Sequence, residues 1–260
     1  MPLIHLETHG SVPGEEARRI RNLLEECYRR LRPGGLDYVE VKIFENNRMW
    51  RSHLATERRK VRVTSAELND AFIAAHDAWT GTPRISVSLE RKQELTQLVW
   101  EGALRHEVGH SILHGGLEYY VFPMPKALSK VADQFPSLSN HLVDILYLLT
   151  LAVKDMEVTR LLVSNGFVED QVAYARYVMK PSEGDLHAWG ISSLAAEARV
   201  LCLIGRLKDI VAAVVLASKS GEPHIGIEEI HESIAYLPQE LRTALLDLMI
   251  EILKGASTDT

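Results

Sequence analysis

Two histidines and a glutamate stand close together in the segment RHEVGH, residues 105–110. Residues four apart on a helix lie one turn apart on the same face, so the imidazoles of His106 and His110 can converge on one ion. Neutral imidazole suits zinc, and two such ligands leave positions for a third side chain and a water. Glu107 points beside the metal, where it can take a proton from the bound water and give it to a leaving amine. The spacing predicts a hydrolase with one Zn²⁺ per chain, although cobalt or nickel would fit the same ligands.

The sequence around these residues favours a real site over a chance match. Hydrophobic periodicity predicts one helix over residues 90–114, which places the motif on a helix as its geometry requires. Gly109 costs that helix about 1 kcal/mol relative to alanine, which makes sense if another backbone packs against it. An alternating strand with edge character, residues 84–89, directly precedes the helix. The competing interpretation is a helix whose histidines are ordinary core or surface residues.

The stretch HEVGHSILHGG, residues 106–116, resembles the HExGHxxxHG motif of the ImmA/IrrE-type and related gluzincin-like peptidases. The predicted order of elements before it is also similar to the N-terminal subdomain of the zincins. In zincins a strand placed like residues 84–89 binds extended substrate by β-augmentation. The resemblance covers roughly residues 38–164 and implies a peptide or protein substrate, with Glu107 as the catalytic base.

The same resemblance implies a third metal ligand on a downstream helix. The family motifs there, ExExADRFA or ExEANRFA, bind metal through their first acidic residue. This chain has DMEVTRLL at residues 155–162, which puts Asp155 at the ligand position. Thr159 falls where the family has an acid or amide that supports a ligand histidine, and Arg160 matches the arginine. The chain therefore departs from the pattern twice, with aspartate in place of glutamate and threonine in place of the supporting residue.

Two carboxylates, Asp155 and Glu157, compete for the role of third ligand. Glu157 has Lys154 and Arg160 three residues away on either side, as is typical of a solvated, ion-pairing acid. Asp155 shares a helix face with small or apolar residues, as expected of an inward ligand. These neighbours are Leu148, Leu151, Ala152, Thr159 and Leu162. The face argument favours Asp155 and leaves Glu157 as the alternative.

Several other residues are candidates for the neighbourhood of the metal. His114 lies one turn beyond His110, but a straight helix does not easily wrap one ion with residues eight apart, so it reads as a helix-end or cleft-lining residue. Tyr119 or Tyr120 could place a hydroxyl near an oxyanion, although packing is more usual for adjacent tyrosines. His187, in a predicted loop, could stabilise a tetrahedral intermediate. Asp144 is either a partner of a ligand histidine or an acid in the first turn of its helix.

Composition narrows the class of protein. The chain has 260 residues, 46% hydrophobic content and a formal net charge of -6, so its electrostatics give no reason to expect nucleic-acid binding. Cys27 and Cys202 lie far apart without a CxxC pair, which excludes a cysteine metal site and predicts buried free thiols in a reducing compartment. The N-terminus lacks the features of a signal peptide, and no apolar stretch is long enough to span a bilayer. We therefore expect a soluble, cytoplasmic protein without a membrane segment.

Periodicity and turn residues predict an α+β fold, with a zincin-like region over residues 1–166 and an all-helical region over 167–260. Helices are predicted at 14–32, 65–79, 90–114, 139–164 and 170–179, with three or four more in 191–254. Strands are predicted at 37–45, 60–64 and 84–89. Loops are predicted at 117–136 and 181–190, with a break at 220–223.

The alternative function is a metal-binding but non-catalytic regulator whose cleft recognises a partner peptide. Its helical C-terminal half, with an amphipathic stretch at 239–254, could dock another chain. The intact Glu107 argues against this alternative, since a pure binder has no need of a base.

Overall fold

A small sheet lies in the N-terminal part of the chain and helices make up the C-terminal half, so the predicted α+β class is confirmed. The computed structural model describes residues 1–61, 73–121, 123–217 and 225–255. The chain divides into two units: a first unit of residues 1–122 and 161–171, and a second unit of 123–160 and 172–260. The predicted division into regions 1–166 and 167–260 stays a prediction.

The elements are numbered in chain order. The strands are β1 (Leu3–His9), β2 (Tyr38–Phe44), β3 (Ala74–Asp77) and β4 (Arg84–Ser88). The first five helices are α1 (Gly14–Leu31), α2 (Asn47–Val61), α3 (Gln97–Leu113), α4 (Lys126–Gln134) and α5 (Leu142–Ser164). They are followed by α6 (Glu169–Met179), α7 (Glu183–Ser192), α8 (Ala196–Ala217), α9 (Ile227–Ser233) and α10 (Gln239–Gly255).

The sheet of the first unit has the strand order β1-β2-β4-β3. The first three strands of that order are parallel, and β3 runs antiparallel to β4. Val39, Val41 and Ile43 alternate along β2 and are fully buried, as the period of two predicts. Phe44 points to the opposite face, where it packs with residues of α2. Helix α1 contacts β1, and α3 contacts α1, β3 and β4.

The predicted sheet was wrong in two places. Strand β4 matches the predicted strand 84–89 but is not an edge, because it lies between β2 and β3 and all its residues are buried. The edge beside it is β3, in a segment predicted as the end of a helix over 65–79. Pairing with β4 overrides the helical preference of its two alanines. The rest of that helix, residues 65–72, lies outside the described residues.

Of three other elements predicted in the first unit, two are confirmed and one is wrong at its start. The helix at 14–32 and the strand at 37–45 are confirmed as α1 and β2. The strand at 60–64 is wrong at its start, since Lys60 and Val61 end helix α2, and residues 62–64 lie outside the described part. Strand β1 and helix α2 were not predicted.

The second unit is helical, and α8 lies at its centre, in contact with α7, α9 and α10. Its core joins Ala152 and Met156 of α5 to Val211 and Val215 of α8. The predicted helix at 170–179 and three helices within 191–254 are confirmed as α6, α8, α9 and α10. The predicted break at 220–223 lies outside the described residues.

Three boundaries in and near this unit needed correction. The loop predicted at 117–136 contains α4, and the one at 181–190 is largely α7. A capping box explains α7: the Ser182 hydroxyl accepts from the Asp185 N–H, and the Asp185 carboxylate accepts from the Ser182 N–H. The helix predicted at 139–164 begins at Leu142, after a short 3-10 helix, Pro136–His141.

Neither cysteine forms a disulfide, as predicted. Cys27 is buried, and that burial raises the pKa of its thiol, whereas Cys202 is only half-buried. Within the described ranges, no helix combines the length and apolar character needed to cross a bilayer.

A buried ion pair ties β3 to β4. Asp77 and Arg84 are directly opposite in the antiparallel register, and Arg84 donates to both carboxylate oxygens of Asp77 over 2.9 and 3.1 Å. The Arg84 side chain is 2% exposed and that of Asp77 10%. Glu57 of α2 lies 3.5 Å from the same guanidinium. Because the pair is desolvated, removal of one partner leaves a buried charge with too little compensation.

We predict that Asp77→Asn lowers the free energy of unfolding by about 3 kcal/mol. The double variant Asp77→Leu with Arg84→Met should lose much less, because it removes both charges. Urea unfolding followed by circular dichroism measures both. The control is Glu15→Gln, in a pair with Arg19 whose side chains are 69% and 66% exposed, which should cost under about 1 kcal/mol. Equal losses for Asp77→Asn and Glu15→Gln would contradict the prediction.

Candidate metal centre

Helix α3 carries the histidine motif and is buried nearly all round. It begins at Gln97 rather than at the predicted residue 90, because the Thr96 hydroxyl accepts from the Val99 N–H as an N-cap. The residues before it form a separate 3-10 turn, Lys92–Glu94. Gly109, like both motif histidines and Glu107, is among the buried residues of this helix. A helix buried on every face must be fixed by its neighbours.

Three polar contacts fix α3 within the first unit. Ser111 donates to the Val108 carbonyl over 2.7 Å, so the buried Tyr28 hydroxyl of α1 donates to Ser111 over 2.6 Å. Arg105 pairs with Asp170 over 2.7 Å. Gln171 donates to the Gly102 carbonyl over 3.0 Å. The helix is thus held from both sides in the turns that contain the motif.

The imidazoles of His106 and His110 converge as the i, i+4 spacing predicts. Their Nε2 atoms are 3.1 Å apart, and the residues are 6% and 8% exposed. Ligands about 2.0–2.1 Å from a tetrahedral zinc ion lie about 3.3 Å apart. The two nitrogens are therefore already close to the spacing that a shared ion requires.

A carboxylate completes a group that could hold a metal ion. One ligand atom each of His106, His110 and Asp155 lies within 4.8 Å of the other two. Two imidazole nitrogens and one carboxylate oxygen are a donor set that suits zinc and leaves a position for water. Glu157, the alternative ligand, is not part of this group and is exposed. The residues present fit the ion that the motif predicts.

Asp155 lies on α5, where Thr159 supports its turn. The Thr159 hydroxyl donates to the backbone carbonyl of Asp155 over 2.7 Å. The hydroxyl proton of Thr159 is therefore used in a hydrogen bond within α5, as is common for threonines inside helices. Asp144 is in the first turn of α5, is largely exposed and lies 3.7 Å from His141. Of its two interpretations, the helix-start acid fits, and the partner of a ligand histidine does not.

Glu107 directly follows His106 on α3 and is only 6% exposed. It lies about 100° around the helix axis from His106, so it does not share the histidine face. A buried carboxylate is costly, and such groups concentrate at functional sites. This is the position that a general base beside the ion would need.

His76, which the sequence did not single out, lies beside His110, and Tyr120 lies beside His76. The ring of His76, on β3, stacks on that of His110 with centroids 6.1 Å apart and planes 5° apart. The Tyr120 hydroxyl lies 2.9 Å from Nδ1 of His76. His76 has no sequence spacing that links it to the motif, because only the pairing of β3 beside α3 brings it there. Tyr120 was a predicted candidate, and the structure brings it to this cluster.

The remaining candidates from the sequence are His114, Tyr119 and His187. Nδ1 of His114 is 3.2 Å from Nδ1 of His110, and the residue is buried. The Tyr119 ring packs edge-on against that of His114, with centroids 5.1 Å apart. His187 lies on α7 in the second unit rather than in a loop, and its side chain is exposed.

Comparison of the chain with protein-family models, curated proteins and solved structures found no match in any of the three. The likeness to the ImmA/IrrE-type peptidases therefore rests on the motif residues themselves.

Proposed function

We propose that this protein is a zinc-dependent peptidase of the zincin type. His106, His110 and Asp155 would hold one Zn²⁺, and Glu107 would be the general base. The observation that carries the proposal is the pair of Nε2 atoms 3.1 Å apart on a buried helix, grouped with the Asp155 carboxylate. Two buried imidazoles, a third donor and a buried acid beside them are what such a reaction needs.

When bound, zinc makes a coordinated water nucleophilic near neutral pH and polarises the scissile carbonyl. Glu107 accepts the proton that the attacking water loses as its oxygen bonds to the carbonyl carbon. It then donates that proton to the amide nitrogen as the carbon–nitrogen bond breaks, which releases an amine and a carboxylate. Burial of Glu107 keeps bulk water from competing for the proton.

The edge strand β3 is the proposed docking strand for substrate. It contacts α3, and among the described residues no strand pairs with its outer side. An extended peptide that added to this edge would pass His76, which stacks on His110. The proposed substrate is therefore an extended segment of a peptide or unfolded protein.

Tyr120 is the proposed donor to the reacting carbonyl oxygen. If Nδ1–H of His76 donates to the Tyr120 oxygen, the phenolic proton points away from His76. A donor positioned in this way stabilises the negative charge of the tetrahedral intermediate.

One observation favours the second candidate, a metal-binding protein without catalysis. His106, Glu107 and His110 are all less than 10% exposed, as in a closed structural site. The two candidates differ in one respect, because only a peptidase requires the carboxylate of Glu107.

We expect the freshly purified protein to contain about one zinc per chain, as the three-ligand site predicts. Glu107→Gln should retain that zinc and lose about 10²–10⁴-fold in peptide hydrolysis, because the base is gone and the ligands are not. Metal analysis and hydrolysis of an unfolded protein or a quenched peptide library measure the two properties. His106→Ala should lose zinc while its far-ultraviolet circular dichroism is unchanged.

The matched control is Glu118→Gln, an exposed acid beyond the motif helix, which should change neither property. Wild-type protein that neither contains nor takes up zinc would end the metal proposal. Equal hydrolysis by wild type and Glu107→Gln would favour the non-catalytic candidate.

The assignment of the third ligand is tested by a pair of neutral substitutions. Loss of a residue that only supports a ligand costs about 10–100-fold in metal affinity. Asp155→Asn should weaken zinc binding by more than this, because it removes a charged ligand directly. Glu157→Gln should bind zinc like the wild type, since its side chain is exposed. Competition with a chromogenic chelator gives both affinities, and the opposite pattern would make Glu157 the ligand.

The role of Tyr120 predicts a loss in kcat without a loss of metal. Tyr120→Phe should lower kcat by about 10²-fold and leave zinc content and KM nearly unchanged, because the donor acts on charge that develops during the reaction. Tyr119→Phe is the control, since its ring packs on His114 and it is exposed. Wild-type kcat in Tyr120→Phe would remove this residue from the mechanism.

A further inference from the structure

Both ring nitrogens of His110 have a histidine nitrogen beside them. Its Nε2 lies 3.1 Å from Nε2 of His106, and its Nδ1 lies 3.2 Å from Nδ1 of His114. The three residues form a chain along one helix stripe, each four residues from the next. The two ring nitrogens of His110 therefore have different neighbours: Nε2 faces the other proposed histidine ligand, and Nδ1 faces His114.

A neutral imidazole has one nitrogen with a proton and one without. If Nε2 of His110 binds the ion, the proton must be on Nδ1, and that N–H needs an acceptor. The nearest ring nitrogen to it is Nδ1 of His114. His114 can accept only if its own proton is on Nε2.

We propose that His114 is a positioning residue that holds His110 in the tautomer with Nδ1 protonated and Nε2 free for metal. The inference rests on the proposed metal site and adds a residue that acts through His110 rather than on substrate. In metal sites the partner of a ligand histidine is commonly a carboxylate, a backbone carbonyl or water. Here the acceptor is a second neutral imidazole, which adds no charge.

The backbone holds His114 where the bond needs it. His114 is the C-cap residue of α3, and its N–H donates to the His110 carbonyl over 2.7 Å. At the next residue, a Cβ on Gly115 would clash with the Ser111 carbonyl and meet Pro83. The chain after the helix therefore turns tightly against its surroundings, which requires glycine at that position. This turn fixes the Cα of His114 one helical turn below His110.

Burial shields the ring of His114 from solvent. His114 is 1% exposed, so bulk water does not compete for its ring. The Tyr119 ring packs edge-on against it and limits its rotation. The metal-ligand group of the described residues contains His106, His110 and Asp155 but not His114. A supporting role therefore fits His114 better than a role as a fourth ligand.

The test compares three variants of His114 for zinc affinity, measured by competition with a chromogenic chelator. His114→Leu keeps the bulk and removes the acceptor, so it should weaken zinc binding about 10–100-fold. His114→Asn places an amide oxygen near the former Nδ1 and should restore affinity to within about threefold of wild type. His114→Gln places its amide near the former Nε2 and should behave like His114→Leu. Thermal unfolding of the zinc-free proteins checks that each variant folds.

A second measurement needs no variant. In zinc-loaded, ¹⁵N-labelled wild-type protein, long-range ¹H–¹⁵N spectra should show His110 protonated on Nδ1 and His114 protonated on Nε2. His114 protonated on Nδ1, or tight zinc binding by His114→Leu, would overturn the inference. If the wild type binds zinc and His114→Leu binds it equally well, only this inference is refuted. A wild type that binds no zinc, or a His106→Ala variant that binds it normally, refutes the proposed function as well.

Discussion

A helix buried on every side carries two imidazoles and a carboxylate within one turn and a half, so these polar groups must be satisfied without bulk water. That constraint explains much of the first unit. Tyr28 and Asp170 hold the helix from neighbouring segments, and the glycine after its end lets the chain turn tightly below it. Within the helix, the histidines face one another. The surrounding elements hold this part of the helix in place, and the sheet contributes His76, whose ring stacks on that of His110.

The local part of the site could be predicted from the sequence because it follows from helix geometry. The i, i+4 spacing of His106 and His110 alone implies that their nitrogens converge, as they do. Asp155 was favoured on helix faces, and it belongs to the group that could hold metal. His76 could not be found in this way, since its place depends on strand order. Its segment is rich in alanine, which suggests a helix, and only the ladder with β4 makes it a strand.

The same reasoning explains the other errors. Strand β4 alternates in sequence like a half-exposed strand, yet both of its faces are covered, and sequence alternation does not report what lies on the polar side. The stretch that contains His187 has a proline and glycines and was predicted as a loop, but a serine and an aspartate three residues apart cap it as a helix. His114 was interpreted through the helix dipole, because its hydrogen bond to another histidine is a side-chain contact that spacing only permits.

The antiparallel pairing of β3 has a consequence for fidelity. Side chains alternate along a strand, so a slip of one residue against β4 would turn His76 to the opposite face of the sheet. Only four residues define this register, and apolar packing alone specifies so short a strand weakly. The adjacent Asp77 meets Arg84 through two hydrogen bonds, an arrangement that a shifted strand could not form. The ion pair therefore favours the observed register of β3, in which His76 stacks on His110.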